Sequence, residues 1–162
     1  HGSGGIAEAL SLTEGFVGND AVAVILGDNV FENDFAASVK KFENLSGAMV
    51  FLKKVPDAQR FAVVSMKGDK VETIEEKPKQ PKSDLAMVGF YIYSPDAFSK
   101  IATLELSGRG ELEITDLNNL YLKEGRLYYD VLEGFWSDAG TFDSLHYTAI
   151  WAAERKKRAM KG

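Results

Sequence analysis

The segment Ala21–Asn29, Ala-Val-Ala-Val-Ile-Leu-Gly-Asp-Asn, constrains the fold more than any other stretch of the chain. Its six apolar residues, rich in Val and Ile, read as a strand buried on both faces at the centre of a parallel or mixed α/β sheet. The run is too short to cross a membrane. It breaks on Gly27 and Asp28, and in open α/β sheets ligands bind just beyond the carboxyl ends of the central strands. Asp28 is therefore a candidate functional carboxylate. A plain turn explains Gly27-Asp28-Asn29 equally well, because all three residue types favour turns.

With 162 residues, 45% of them apolar and 11% aromatic, the chain can bury one good core. One compact unit is expected over residues 4–162, with His1, Gly2 and Ser3 read as vector sequence. A net charge of −5 and a pI near 5.1 argue against nucleic acid or an anionic membrane as the main partner, since both favour a positive protein face. The absence of cysteine excludes disulfides, thiolate nucleophiles and zinc–cysteine sites. Apart from His1 the only histidine is His146, so acid–base or metal chemistry must come mainly from carboxylates, which suits Mg²⁺ better than zinc. The sequence contains no signal peptide and no apolar run of spanning length, making a cytoplasmic setting the default expectation.

Gly5 to Glu14 is helix-prone and leads into the Val-rich strand. A second helix is expected after Asn29, capped by Asn33 or Asp34, with Phe35, Val39, Phe42 and Leu45 at helical spacing. Ala48–Val55 reads as a strand, and Phe61–Met66 and Val71–Glu76 read as a β-hairpin about Lys67-Gly68-Asp69-Lys70. Two prolines make Lys77–Lys82 an exposed loop. Ala86–Tyr93 is another nearly all-apolar strand, Ser94-Pro95 launches a short helix, Leu112–Glu124 forms a longer one, and Leu127–Leu132 is a strand. Glu133–Gly140 reads as a connecting loop, with Thr141 capping a long last helix. The alternation of strands and helices gives an α/β class with a mixed sheet.

Trp136-Ser137-Asp138-Ala139-Gly140-Thr141 also lies between a strand and a helix, so Asp138 and Asp28 could share one Mg²⁺ completed by water and phosphates. Asp138 as a simple helix cap explains the same pattern. Glu76 and Lys77 sit at a strand end, where a carboxylate can accept sugar hydroxyls and an ammonium can hold a phosphate; a solvated charged edge is the alternative. Arg109, flanked by glycines, suits phosphate or an ion pair with Glu111 or Glu113. Gly2-Ser3-Gly4-Gly5 is not a phosphate loop, because no strand precedes it. The basic residues Lys156, Lys157, Arg158 and Lys161 read as a solvated helix end.

In order along the chain, Gly5-Ile6-Ala7-Glu8-Ala9, Leu26-Gly27-Asp28-Asn29, Arg60-Phe61-Ala62-Val63-Val64, Glu75-Glu76-Lys77-Pro78, Gly89-Phe90-Tyr91, Arg109–Asp116 and Trp136–Thr141 together resemble the sugar-1-phosphate nucleotidyltransferases, and among them the glucose-1-phosphate thymidylyltransferases. The likeness runs from Gly5 to about Arg155. It implies a Rossmann-like, GT-A-like domain with a mixed, mainly parallel central sheet, flanking helices and a β-hairpin insertion, truncated at its N-terminus. The implied reaction is attack of a sugar-1-phosphate oxygen on the α-phosphorus of a nucleoside triphosphate, dTTP or UTP, releasing pyrophosphate. Asp28 and Asp138 would hold Mg²⁺, Gly5 would lie against the base, Glu76, Met87 and Gly89 would bind the sugar, and Lys77 and Arg109 its phosphate. Positioning and charge neutralisation suffice for such a transfer, with no nucleophilic side chain.

Three departures follow from the resemblance. Nothing in the chain matches the family's first strand and glycine-rich triphosphate loop, so little or no transferase activity is expected of this chain alone. Phe61-Ala62 replaces a usual Tyr-Gly on the sugar side, and Glu8 a usual Gln. The rival readings are a non-catalytic sugar-nucleotide-binding regulatory domain and a sheet-forming interaction domain; an unpaired sheet edge would drive association into a homo-oligomer.

Overall fold

The computed structural model describes residues 4–160, and the vector-sequence reading of His1, Gly2 and Ser3 lies outside them. The chain opens with α1 (Gly5–Ser11) and α2 (Glu14–Val17), not one continuous helix. Thr13 turns its hydroxyl back onto the Leu10 carbonyl at 2.7 Å and separates the two. Next come β1 (Val22–Ile25), β2 (Asn29–Phe31), α3 (Ala36–Phe42) and β3 (Ala48–Lys54). A short 3₁₀ turn, Ala58–Arg60, precedes the hairpin β4 (Ala62–Lys67) and β5 (Lys70–Glu76). Then follow β6 (Leu85–Tyr93), α4 (Ala97–Ile101), α5 (Ile114–Lys123), β7 (Leu127–Val131), β8 (Trp136–Asp138) and α6 (Phe142–Ala159).

The main sheet has the order β5-β4-β6-β3-β7, with β1 also paired to β6. It is mixed, as the alternation of elements implies, but it is not mainly parallel: among the described strands only β3 and β7 pair in parallel. The reason lies in β6. Strands β1, β3, β4 and β7 share one direction, and β6 runs against them from a position between its neighbours. The sheet is also curled, because Tyr129 of β7 donates its hydroxyl to the Asp69 carbonyl in the β4–β5 turn, 3.1 Å away, although β5 and β7 are its opposite ends.

The core follows the two-residue period of β3 and β6. Ala48, Val50, Leu52, Met87, Tyr91 and Tyr93 point to one face, under Ala7 and Leu10 of α1, Phe98 and Ile101 of α4, and Leu117 and Tyr121 of α5. Met49, Phe51, Val88, Phe90 and Ile92 point to the other, under Phe42 of α3 and the packed ring of Phe35. Burial of each of the larger aliphatic and phenylalanine side chains in this set contributes about 1.5–3 kcal/mol, and of each alanine less. The strand buried on both faces is therefore not β1, where Ala23 and Ile25 are exposed and the only described partner is β6, but β3 and β6 themselves.

Two local expectations change. Ser94 does not cap α4; its hydroxyl accepts the Gly47 N–H at 2.7 Å, and Asp96 occupies the cap position. The segments after Asn29 and within 133–140 are not simply loop, since β2 and β8 pair as a two-stranded antiparallel ribbon with Asn29 opposite Asp138. Thr141 does cap α6, reciprocally with Ser144. No helix among the described residues is long and apolar enough to cross a membrane.

Candidate active site

A cleft of about 560 Å³ opens where β6 lacks a continuous neighbour. On one edge β1 covers Phe90–Tyr93 and β4 meets β6 only at Ala86, leaving Met87–Gly89 between them. The turn Leu26–Asn29 folds into that gap. Leu26 donates its N–H to the Gly89 carbonyl at 2.9 Å, and the Gly89 N–H donates to Asn29 Oδ1 at 2.9 Å. A Cβ on Gly89 would stand 2.7 Å from Asn29 Nδ2, so this close approach requires glycine.

Asn29 fixes the carboxylate beside it. Two donors, the Gly89 N–H and Trp136 Nε1 at 2.7 Å, converge on its Oδ1, which leaves Nδ2 to donate to Asp28 Oδ1 at 2.8 Å. Across the β2–β8 ribbon, Asp138 Oδ1 accepts the Gly140 N–H at 2.7 Å, and the Ala139 N–H donates to the Asp28 carbonyl at 2.6 Å. Asp28 Oδ2 and Asp138 Oδ1 each lie 3.0 Å from the point where a Gly140 Cβ would stand. The two oxygens are thus at most twice that distance apart. The turn reading of residues 27–29 is realised, since Asn29 donates its N–H to the Leu26 carbonyl at 3.0 Å, whereas Asp138 does not cap α6, whose cap is Thr141; both aspartates also line the cleft.

The remaining sequence-derived candidates line the same cleft: Gly5, Phe61, Ala62, Glu76, Lys77, Met87, Gly89 and Arg109. Gly5 has φ of 85°, and a Cβ there would meet the Leu112 carbonyl at 2.5 Å, so only glycine lets α1 start against the loop before α5. Ala62 and Glu76 are cross-strand partners in the hairpin. Lys77 follows with φ of 41°, a left-handed backbone that is rare for a side-chain-bearing residue, and donates its N–H to the Phe61 carbonyl at 3.1 Å. Phe61 packs edge-on against Trp136 with ring centres 5.1 Å apart. Met87 is held from below by the buried pair Tyr93 and Asn118, whose amide meets Met87 Sδ at 3.2 Å.

Arg109 realises its ion-pair alternative. Its guanidinium grips Glu113 through bonds of 2.7, 2.9 and 3.1 Å and lies 3.6 Å from Glu111 and 3.8 Å from Glu76. Burial alone would raise the Glu113 pKa, but hydrogen bonds from Arg109 and Ser107 and the Arg109 and Lys77 charges outweigh it and hold the carboxyl below its ordinary value. Tyr91, on the cleft floor, is pushed up from its usual range by burial first and then by the Glu76 and Asp28 charges.

Among the cleft residues, Asn29, Thr115 and Arg60 were given no role from sequence. Asn29 stands next to Asp28 in the strand-end motif, and Thr115, whose hydroxyl donates to Glu76 Oε2, lies inside the Arg109–Asp116 motif. Arg60, 3.6 Å from Asp138 Oδ2, opens the Arg60–Val64 motif; Glu113 was named only as an ion-pair partner for Arg109 and is that partner here. Membership of a motif was the signal available for Asn29, Thr115 and Arg60.

The lining carries five acids (Asp28, Glu76, Glu111, Glu113, Asp138) against three bases (Arg60, Lys77, Arg109). Such a cleft repels a free polyphosphate unless a cation offsets the excess. No group of three or more His, Cys, Asp or Glu among the described residues could hold a metal. The chemistry of the donors is nevertheless that of a hard-cation site: two carboxylates, Asp28 and Asp138, line one cleft, and such an ion takes one or two carboxylates and completes its shell with water and ligand oxygens.

A model of the nucleotidyl transferase family matches residues 1–154. The chain is 43% identical over 150 residues to a glucose-1-phosphate thymidylyltransferase of Neisseria meningitidis serogroup A, an alignment covering 90% of this chain and 52% of that protein. It is 41% identical over 145 residues to the Mycolicibacterium smegmatis enzyme of the same name, covering 87% and 50%. The chain thus spans about half the length of these curated relatives. A crystal structure of a Bacillus anthracis protein assigned as a glucose-1-phosphate thymidylyltransferase, in complex with a sucrose, superposes with a TM-score of 0.89 at 50% identity, over 94% of this chain and 62% of that one. A UDP-glucose pyrophosphorylase structure shares the fold with a TM-score of 0.82 at 22% identity, over 96% and 64%.

Proposed function

Because this chain belongs to the nucleotidyl transferase family, we propose that its cleft serves nucleotidyl transfer from a nucleoside triphosphate, dTTP or UTP, to a sugar 1-phosphate, glucose 1-phosphate in the first instance. The observation that supports this reading is that Asp28 and Asp138 both line the cleft and bring Oδ2 and Oδ1 respectively up to the same residue, Gly140. Asp28 and Asp138 would hold one Mg²⁺, which when bound would neutralise phosphate oxygens. Gly5, at the start of α1, offers a surface with no side chain for the flat face of a base. Glu76 accepts hydroxyl protons, as it already does from Thr115, and with Met87, Gly89, Phe61 and Ala62 would frame the sugar. Lys77 and Arg109 supply the cationic side of the same space for the sugar phosphate. The balanced step makes a bond from the sugar-phosphate oxygen to the α-phosphorus and breaks the bond to the pyrophosphate leaving group. Holding both reactants in line is the main requirement, so no nucleophilic side chain is needed.

Mn²⁺ binding followed by electron paramagnetic resonance tests the carboxylate pair. Asp28→Asn and Asp138→Asn should each weaken affinity by about tenfold or more, as loss of metal-supporting groups does. Equal Mn²⁺ affinity in wild type and both variants would remove the basis of the proposal.

A further inference from the structure

Lys53, on β3, reaches across the end of the sheet, and its ammonium is enclosed by three consecutive backbone carbonyls. The nitrogen lies 3.2 Å from the Leu132 oxygen, 2.8 Å from that of Glu133 and 2.7 Å from that of Gly134. All three partners are neutral. Three carbonyl dipoles aimed at one point repel each other, and an ammonium with three donors satisfies them one for one. The chain on either side is pinned as well. Leu132 donates its N–H to the Leu52 carbonyl at 2.8 Å, Phe135 donates its N–H to Glu32 Oε2 at 2.9 Å, and the Glu32 N–H returns to the Phe135 carbonyl at 2.8 Å. The next residue along begins β8, which carries Asp138 to its place opposite Asn29.

We propose that Lys53 is a positioning residue whose ammonium acts as a tethered monovalent cation. It gathers the carbonyls of residues 132–134 and thereby sets where β8 places Asp138 relative to Asp28. The consequence for Asp138 rests on the metal reading above; the carbonyl cage does not.

Lys53→Met tests it, because methionine keeps most of the stem, ends one atom short and leaves the place of the nitrogen vacant for a free ammonium ion. Both tryptophans of the chain report on this loop: Trp136 follows Phe135 directly, and the Trp151 ring stacks on Phe135 at 3.9 Å. The variant should keep a cooperative melting transition, shift its tryptophan emission and bind Mn²⁺ about tenfold more weakly. Ammonium chloride should reverse both changes, and tetramethylammonium chloride at equal ionic strength should not, being too large for the cage. Lys53→Gln, which retains a neutral donor, should fall between, and it carries the test if the methionine variant does not fold. A lowered melting temperature with unchanged native emission and Mn²⁺ affinity would overturn the proposal, as would changes that ammonium does not reverse. Wild-type protein that binds no Mn²⁺ would sink the metal reading alone, and the emission rescue would still decide for or against the cage.

Discussion

Replacing Gly89 by alanine should damage the candidate site through one added methyl group. The new Cβ would stand 2.7 Å from Asn29 Nδ2, 2.7 Å from Leu26 Cδ1 and 2.8 Å from Asn29 Cγ. Ordinary carbon contacts begin near 3.5 Å, so the neighbours must give way by most of an ångström. The leucine methyl is the end of a flexible side chain and can rotate aside. Asn29 cannot move cheaply, because Gly89, Trp136 and Asp28 all hold its amide. Overpacking costs about 1–3 kcal/mol, and each hydrogen bond lost from Asn29 about 1 kcal/mol, giving a loss of roughly 3 kcal/mol. For a chain of this length that lowers the melting midpoint by about 6–12 °C. Displacing Asn29 also frees the Asp28 carboxylate, so Mn²⁺ affinity should fall along with stability. Calorimetric melting of the four proteins of a Gly89→Ala, Asn29→Ala cycle checks the cause. Once Asn29 is truncated its atoms no longer oppose the new methyl, and the double variant should be more stable than additivity predicts by about 1–2 kcal/mol. Additive losses, or a Gly89→Ala protein that melts like wild type, would refute the argument.

Thr141→Ala should cost about 1 kcal/mol in chemical denaturation, because it removes the acceptor for the Ser144 N–H at 3.2 Å and half of the reciprocal cap on α6. The Arg109–Glu113 pair predicts a pH dependence. The Glu113 carboxyl lies below its ordinary value of 4.5 in the folded protein, so its contribution is fully present above that value and is lost as pH falls through the lower, folded pKa. In Arg109→Met burial acts with less opposition and the Glu113 pKa should rise toward its unfolded value, so the variant should be less stable at neutral pH but lose less on acidification, and the two curves should converge as pH falls. Denaturation midpoints of the two proteins between neutral pH and the acid limb measure the difference; superimposable curves would contradict it.

The α/β class, the strands β3 and β6, the hairpin, the long last helix and its Thr141 cap were legible because each depends on local chemistry: apolar runs, turn residues and a capping hydroxyl. Strand direction was not legible. A run such as Ala86–Tyr93 looks the same whether its neighbours run with it or against it, and only the packed sheet reveals that β6 opposes β1, β3 and β4. For the same reason Ala21–Leu26 suggested a central strand, although half of β1 faces outward. The candidate site shows the limit most clearly. Asp28 and Asp138 each had a turn or cap explanation that local sequence could not reject, and what brings them together is a ribbon of two three-residue strands, too short to carry any periodic signal. Its stability comes from contacts distant in sequence: Trp136 on Asn29, Phe61 on Trp136, and Phe135 clasped by Glu32. The pairing of the two aspartates is thus a property of tertiary packing around the ribbon, which is why substitutions that touch neither carboxylate, at Gly89 or Lys53, are expected to move them.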